Sequence, residues 1–329
     1  MSRPVTLFSG QWADVPFEKF CEKAKSFGYD GIEIACMGDH LDLKKAAADP
    51  KYAEERKNIL KNYGLKLFAI GTHFISQCVG ENPDPRLSAL LPSGAGTKPE
   101  EIRKWAVQEM KYAAVAAKNL GVKIVTGFMG SPIWASWYNI PQITEQMIAD
   151  AYAQIIKAWT PIFDDFDKNG IKFALEVHPG QIAFDYYTAE RLLKEFKNRK
   201  TIGFNIDPSN LVWQGVSPTL FIRDFHRQLL HVRMKDAAVT LDGKAGILGS
   251  FLNMGDVRRG WNFRSPGHGD VDFENLIREL NAINYKGPLS VEWEDAGMNK
   301  EVGAKEACDF IKNINFSPTD TADDAAKTE

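Results

Sequence analysis

Cysteine is scarce in this chain, and its placement excludes two ways of stabilising a small fold. The 329 residues include four cysteines, none of them in a C-x-x-C pair: Cys21, Cys36, Cys78 and Cys308. Disulfide frameworks and structural zinc sites need cysteines at close, recurring spacings. The sequence therefore predicts neither of them, and it favours a reducing cytoplasm as the location of the protein.

Long apolar runs and an excess of one charge are also missing. No window approaches the roughly 18 apolar residues of a membrane-spanning helix, and the first residues, MSRPVTLFSGQWADVP, lack the apolar core of a signal peptide. Lysine and arginine together number 40 and the acidic residues 43, so the net charge is −3. We therefore expect a small-molecule partner, and neither nucleic acid nor a membrane.

Short β-branched apolar runs alternate with helical patterns along the chain. Eight runs are predicted to be strands: Val5–Phe8, Gly31–Ala35, Lys66–Gly71, Lys123–Gly127, Lys172–Val177, Thr201–Ile206, Leu229–Met234 and Leu289–Glu292. Eight βα units in succession predict a single-domain (β/α)8 TIM barrel over residues 1–316. An open doubly wound sheet is the alternative, although no G-x-G-x-x-G follows the first strand. The polar tail, residues 317–329, is predicted to be disordered.

Two predicted loops are long, and both begin at the carboxyl end of a strand. They are Phe74–Lys98, after the third strand, and Asp236–Val271, after the seventh. Barrel enzymes build their active sites at this end of the strands. We expect loops of this length to be functional, with a contact between subunits of a homo-oligomer as the alternative for the first.

Three acidic residues follow apolar runs in the phase that points into a barrel: Glu176, Asp207 and Glu292. A buried carboxylate is costly unless a cation compensates it, so three that converge need a metal ion or basic side chains. Oxygen ligands suit Mn²⁺ or Mg²⁺, and one added imidazole extends the choice to Co²⁺, Fe²⁺ or Zn²⁺. The alternative is a purely structural network with Arg233 and Lys235 of strand seven.

Other side chains at the same end are candidates for contact with a substrate. His178 lies two residues beyond Glu176 and is a candidate general acid or base, because an imidazole titrates near neutrality. His73 ends strand three and could hold a substrate hydroxyl. An aromatic cluster after strand four could stack on sugar rings, or it could be a hydrophobic cap or a subunit interface: Phe128, Trp134, Trp137 and Tyr138. A loop after strand seven could bind a phosphate or carboxylate, or it could be a solvated basic loop: Arg258, Arg259, Trp261, Arg264 and His268.

As a set, these strand ends resemble the sugar phosphate isomerase/epimerase family of the xylose-isomerase-like barrels. The matching segments are GYDGIEIAC, ALEVHPG, GFNIDPSNLVWQG, HVRMKD and SPGHGDVDFENLIRELNAINYKGPLSVEWED. The resemblance runs from Thr6 to Phe316 and is specific for the family, but only weakly for a substrate. Relatives hold a divalent metal with a Glu, an Asp, a His and a Glu on strands five to eight. The resemblance places these at Glu176, Asp207, Arg233 and Glu292.

Two positions depart from the family pattern. Arg233 stands where relatives have the ligand histidine, and a guanidinium stays protonated and cannot bind a metal. Asn210 stands where relatives often have a histidine that reaches the substrate. Three arrangements remain open at this point. The three carboxylates and water keep the metal, or His231 helps from one layer lower, or Arg233 takes the place of the metal and pairs with the acids.

The resemblance implies a carbohydrate isomerase or epimerase that acts on a keto-sugar or sugar phosphate through an enediolate. Glu176 and Glu292 would transfer the proton, with His178 and Lys235 as helpers, and a metal (Mn, Mg, Co or Zn) would stabilise the enediolate. Six residues are predicted to contact the substrate: His73, Trp134, Asn210, Arg233, Arg264 and His268.

Two other functions use the same residues. A lyase or hydratase acting on a 3-keto sugar, keto-glycoside or inositol derivative needs the same base, plus an acid for the leaving oxygen. A sugar-binding protein with a degenerate metal site is the second alternative, suggested by Arg233 and Asn210. The superfamily also includes a DNA-repair endonuclease, but that activity needs more histidine ligands and a more basic surface.

Overall fold

The structure is a computed structural model that describes residues 2–134 and 139–317. The expectations for Trp137, for Tyr138 and for the tail beyond Ser317 lie outside these residues. Among the described helices, none combines the length and the apolar character needed to cross a membrane. All four cysteines carry free thiols.

Eight parallel strands close into a barrel, and a separate two-stranded hairpin lies outside it. The barrel strands are β1 (Val5–Phe8), β2 (Gly31–Ala35), β3 (Lys66–Gly71), β4 (Ile124–Gly127), β5 (Lys172–Glu176), β6 (Ile202–Ile206), β7 (Leu229–Met234) and β10 (Leu289–Val291). Closure is made by β1 and β10, where Val5 lies opposite Leu289. The predicted single-domain TIM barrel is therefore confirmed, and the open sheet is wrong.

The longer helices pack an apolar face against the outside of the barrel, and shorter helices lie between them and the strands. The helices are α1 (Phe17–Ser26), α2 (Leu43–Ala48), α3 (Pro50–Asn62), α4 (His73–Gly80), α5 (Pro85–Ser88), α6 (Pro99–Leu120), α7 (Glu145–Asn169), α8 (Tyr186–Glu195), α9 (Pro208–Val212), α10 (Pro218–Asp224), α11 (Phe273–Ala282) and α12 (Lys300–Ile314). The helix α6 shows why the sequence folds this way. Its buried residues Ile102, Ala106 and Met110 recur every four positions, and Gly121 ends the helix in a left-handed conformation with φ of 80°.

The two long predicted loops contain regular structure. The segment after β3 forms α4 and α5, and His73 is the first residue of α4 instead of the last residue of the strand. The segment after β7 forms an antiparallel hairpin of β8 (Asp236–Val239) and β9 (Trp261–Arg264). Both segments begin at the carboxyl ends of barrel strands, so they build the walls above the barrel mouth.

Candidate active site

A cavity of about 1190 Å³ opens at the carboxyl ends of the barrel strands. Its wall includes residues that end or directly follow seven of the strands: Phe8, Cys36, Gly71, Phe128, Glu176, Lys235 and Glu292. This is the end at which barrel enzymes place their active sites. All four predicted catalytic residues lie in this wall: Glu176, His178, Lys235 and Glu292.

The three acidic strand ends converge below the cavity. Glu176, Asp207 and Glu292 are buried, and one oxygen from each lies within 4.8 Å of the other two. Asp207 also begins the short helix α9, since its Oδ1 accepts hydrogen bonds from the backbone N–H of Ser209 at 2.9 Å and from the Ser209 hydroxyl at 2.6 Å. We call these three residues the carboxylate cluster.

A fourth buried carboxylate, Glu33 of β2, binds Arg233, and sequence reasoning did not find it. The guanidinium contacts both of its oxygens, with Nη1 2.7 Å from Oε2 and Nη2 3.0 Å from Oε1. Glu33 also accepts hydrogen bonds from Thr126 and Ser290 and contacts the His231 ring at 2.9 Å. The sequence contains a signal for this buried acid, because Glu33 interrupts the apolar run G-I-E-I-A at a position that points into the barrel.

Arg233 presents only one edge to the carboxylate cluster. Its Nε lies 3.1 Å from Glu292 Oε2 and 3.6 Å from Glu176 Oε2. Among the described residues its ion pairs within 4 Å are with Glu33, Glu176 and Glu292, and none is with Asp207. The bidentate partner of Arg233 is thus Glu33. The positive charge of Arg233 is therefore compensated mainly by Glu33 and less by the carboxylate cluster.

Lys235 is the second buried cation and faces the cavity. Its Nζ lies 3.0 Å from Glu292 Oε1 and 2.7 Å from Glu294 Oε2, and it stands 4.0 Å from the centre of the Phe263 ring. Burial alone would lower the pKa of Lys235, but Glu292 and Glu294 outweigh burial and raise it. Lys235 therefore remains an ammonium group that can donate hydrogen bonds into the cavity.

The charges of the carboxylate cluster are unequally compensated. Burial alone would raise the pKa of Glu176, but the contact with His73 and the charge of Arg233 lower it to about 2. The pKa of Glu292 is also lowered, because Lys235 and Arg233 outweigh its burial. The pKa of Asp207 rises to about 7, because burial and the two neighbouring glutamates outweigh Lys235. Asp207 is thus a buried acid that lacks a cation of its own.

These residues fit a divalent metal ion. Four buried carboxylates, Glu33, Glu176, Asp207 and Glu292, stand against two buried permanent cations, Arg233 and Lys235, which leaves two negative charges uncompensated when all the acids are ionised. The buried Oδ1 of Asn205, whose amide nitrogen contacts Glu176 at 2.9 Å, has no hydrogen-bond partner among the described residues. Carboxylates are the ligands that Mg²⁺ and Mn²⁺ prefer.

His73 contacts Glu176, one member of the carboxylate cluster. Its Nε2 lies 3.1 Å from Glu176 Oε2, and its ring packs edge-on against the rings of Phe8 and Phe128 at 5.3 and 4.9 Å. The first turn of α4 therefore aims this ring at Glu176, and the two phenylalanines hold it in place.

The tautomer of His178 limits the role that this residue can play. Its Nδ1 lies 2.7 Å from the carbonyl oxygen of Pro179. A carbonyl only accepts hydrogen bonds, so Nδ1 carries the proton and the neutral ring offers Nε2 as an acceptor. Burial lowers the pKa of His178, although Glu176 opposes the shift. The ring is therefore better suited to accept a proton or a hydroxyl hydrogen bond than to protonate a leaving group.

Three of the other residues predicted to contact the substrate lie in the cavity wall or directly behind it. Trp134 lies in the cavity wall and packs edge-on against Phe184 at 5.5 Å. Asn210 is buried behind the wall, where its Nδ2 donates to Asp207 Oδ2 at 2.8 Å and to Glu176 Oε1 at 3.3 Å. Asn210 thus donates hydrogen bonds to two members of the carboxylate cluster. Arg233 contacts the cluster through its Nε.

Two predicted contacts lie away from the cavity wall. Arg264 forms an ion pair with Asp295 at 3.8 Å, and the half-exposed His268 contacts Glu306 of α12 at 2.7 Å. Neighbouring residues of a strand point to opposite faces. Phe263 faces the cavity, so Arg264 points to the other side of the hairpin. We therefore leave Arg264 and His268 out of the proposed site.

The comparison with known families agrees with this architecture. A sequence model of the xylose isomerase-like TIM barrel family matches residues 21–314, and the chain belongs to this family. The resemblance read from the strand ends is thereby confirmed.

Individual relatives are distant. The chain is 24% identical to the uncharacterized protein YfiH of Bacillus subtilis over 318 residues, covering 91% of this chain and 95% of that protein. It is 27% identical to an inosose dehydratase of Clostridium beijerinckii over 215 residues, covering 63% of this chain and 68% of that protein. The crystal structure of the 3-keto-D-glucoside 4-epimerase YcjR from E. coli has the same fold. It superposes with a TM-score of 0.67 at 15% identity, over 94% of this chain and 99% of that one.

Proposed function

We propose that the protein is an enzyme that transfers a proton at the carbon next to the carbonyl of a keto-sugar or keto-polyol. The observation that carries the proposal is the pair Glu176 and Glu292, two ionised carboxylates at the floor of one cavity. They end or follow β5 and β10, and two other strands, β6 and β7, lie between these in the barrel. A substrate carbon above the floor would thus meet a carboxylate from two directions.

In an epimerase or isomerase, one glutamate removes the proton, and the other, once it has taken up a proton from solvent, returns it to the carbon from the opposite side. His73 and Asn210 hold the oxygens of Glu176, while Lys235 holds Glu292 and donates a hydrogen bond toward the substrate oxygen that gains charge. When bound, a divalent ion at Glu176, Asp207 and Glu292 would supply a Lewis acid for the enediolate charge.

The cavity favours an uncharged substrate over a sugar phosphate. Besides Glu176 and Glu292, its described wall includes five acids against three cations: Asp42, Glu81, Asp84, Glu109 and Glu294 against Lys44, Arg86 and Lys235. Of these cations, Arg86 pairs with Asp84 and Lys235 with Glu294. A negative wall repels a phosphate group. The aromatic rings of Phe8, Phe128 and Trp134 suit the C–H faces of a sugar ring.

A lyase is the second candidate function, and the likeness to an inosose dehydratase favours it. In a β-elimination, Glu176 would take the proton from the carbon next to the carbonyl. The electron pair would form the C=C bond, the C–O bond at the next carbon would break, and the oxygen would leave as water with a proton from an acid. The tautomer of His178 disfavours it as that acid, whereas Lys235 carries protons and faces the cavity.

Incubation of the Mn²⁺-loaded protein with keto-hexoses, a 3-keto-glucoside and an inosose in D₂O tests both functions. An isomerase or epimerase incorporates deuterium next to the carbonyl and gives an isomer of the same skeleton by NMR. A lyase gives a product that has lost one water by mass spectrometry. Glu176→Gln and Glu292→Gln should each abolish the reaction, whereas the exposed Glu274→Gln should retain it.

Two results would contradict the proposal. Neither exchange nor elimination with any of these compounds, although calorimetry shows that one of them binds, would identify a sugar-binding protein. Full activity of the Glu176→Gln and Glu292→Gln variants would assign the proton transfer to other residues.

A further inference from the structure

The inward residue of β7 that lies next to the carboxylate cluster cannot contribute a ligand to an ion there. This residue is Arg233, and a guanidinium has no lone pair to offer a metal. Arg233 is fully buried, with both terminal nitrogens on Glu33, and its guanidinium carbon lies 3.9 Å from the centre of the Phe8 ring. It is therefore locked in this position and closes one side of the cluster.

Two of the nearby imidazoles, those of His73 and His231, are held by other groups, and the third, His178, has its Nδ1 on the Pro179 carbonyl and is not part of the carboxylate cluster. His73 Nε2 lies between Glu176 Oε2 at 3.1 Å and Arg233 Nη2 at 3.3 Å. His231 Nε2 lies on Glu33, one layer deeper in the barrel, at 2.9 Å. Among the described residues, the candidate ligand atoms that all lie within 4.8 Å of one another are three carboxylate oxygens, and no imidazole nitrogen belongs to that group.

We propose that Arg233, fixed by Glu33, makes this an ion site with oxygen ligands only, and that the missing imidazole narrows the margin by which Zn²⁺ and Co²⁺ bind more tightly than Mn²⁺. Carboxylate and water ligands suit Mg²⁺ and Mn²⁺, whereas an imidazole adds affinity for Zn²⁺ and Co²⁺. The proposed function enters this inference only through the expectation that an ion binds at the carboxylate cluster.

The first experiment uses the purified full chain and Mn²⁺ alone. After loading with MnCl₂ and removal of the excess, elemental analysis should find one Mn²⁺ for each chain, and Asp207→Asn should lose it. Pulsed electron paramagnetic resonance of the bound Mn²⁺ should show water protons and no directly coordinated ¹⁴N. A ¹⁴N coupling typical of a bound imidazole, or no retained Mn²⁺, would overturn the inference.

The second experiment introduces the missing nitrogen ligand. The double variant Glu33→Gln/Arg233→His removes both charges of the buried pair and places an imidazole on β7. The ratio of Zn²⁺ to Mn²⁺ affinity, measured by competition calorimetry, should rise by about tenfold or more, and a ¹⁴N coupling should appear. The matched control Glu33→Gln/Arg233→Met removes the same charges without adding a ligand and should leave the ratio unchanged.

Circular dichroism establishes first that both double variants are folded. An equal ratio in the histidine variant and in the wild type would overturn the inference. The resonance experiment on the wild type decides the question even if a variant fails to fold.

These readouts separate the inference from the proposed function because they do not need turnover. A ¹⁴N ligand in the wild type would overturn the inference and leave the proton transfer untouched. Bound Mn²⁺ with oxygen ligands, but no exchange of substrate C–H, would overturn the proposed function and leave the inference standing.

Discussion

At the residue scale, Glu33 shows how an acid is kept ionised inside a barrel. Both of its oxygens contact Arg233, and the side chains of Thr126, His231 and Ser290 complete its partners. Burial alone would raise the pKa of Glu33, but Arg233 and His231 outweigh burial and lower it well below the usual range. A satisfied buried ion pair adds little net stability, whereas a lone buried charge is costly.

We therefore predict that Glu33→Leu destabilises the protein by about 3–5 kcal/mol, because it leaves the guanidinium of Arg233 buried without its bidentate partner. The free energy of unfolding in urea measures the loss. The double variant Glu33→Leu/Arg233→Met removes both charges and should recover most of it. Equal destabilisation of the single and the double variant would contradict this explanation.

At the scale of elements, the hairpin β8–β9 is held over the barrel mouth by stacked rings. Trp213, just after α9, lies parallel to Trp261 of β9, with 4.3 Å between the ring centres and 5° between the planes. The guanidinium carbon of Arg259 lies 4.4 Å from the centre of the Trp261 ring. Asp236, at the start of β8, accepts backbone hydrogen bonds from Gly267, Gly269 and Val271. These contacts set the position of Phe263 in the cavity wall.

Trp213→Ala should loosen this hairpin while leaving the barrel intact. Loss of the stack removes a large buried contact, so we expect the free energy of local opening to fall by about 3 kcal/mol. Hydrogen exchange of the β8 and β9 amides measures the change, with the β5 amides as the internal reference. The exposed Tyr187→Ala is the matched control. Equally faster exchange in β5 would show that the stack supports the whole barrel instead.

At the scale of the whole molecule, one acid outside the carboxylate cluster makes stability depend on pH. Glu109 of α6 is partly buried in the cavity wall, and burial together with Asp42 raises its pKa from 4.5 to about 7 against the opposing charge of Lys44. The folded state therefore binds this proton more tightly than the unfolded state does. Its contribution is fully present below about pH 4.5 and is lost as the pH rises through 7.

Glu109→Gln should reduce the loss of stability between pH 5 and pH 8. We expect a difference of about 1 kcal/mol, because the partial exposure of Glu109 weakens the full effect. Urea unfolding of the metal-free protein at the two pH values measures it. The control is Glu100→Gln, an exposed glutamate near the start of the same helix. An unchanged pH dependence in Glu109→Gln would show that other groups carry the effect.

Much of the barrel was predictable from the sequence, because strand burial and helix periodicity are local patterns. All eight predicted strands are present, with ends that differ by at most one residue. The inward phase of Glu176, Asp207 and Glu292 follows from the same alternation. Their convergence needed only the further assumption that eight parallel strands close into a barrel.

Other features were decided by the tertiary structure, because they depend on partners far away in the chain. Glu33 and Arg233 are 200 residues apart, and no local sequence pattern predicts that Arg233 forms its ion pair with this residue of β2. The two strands of the hairpin β8–β9 are only four residues long and lie far apart within one long segment, and their pairing decides that Phe263 faces the cavity and Arg264 does not. The sequence by itself determined which acids at the strand ends point into the barrel. Closure of the barrel decided which charges are compensated there, because burial makes each carboxylate depend on the cation that the fold places beside it.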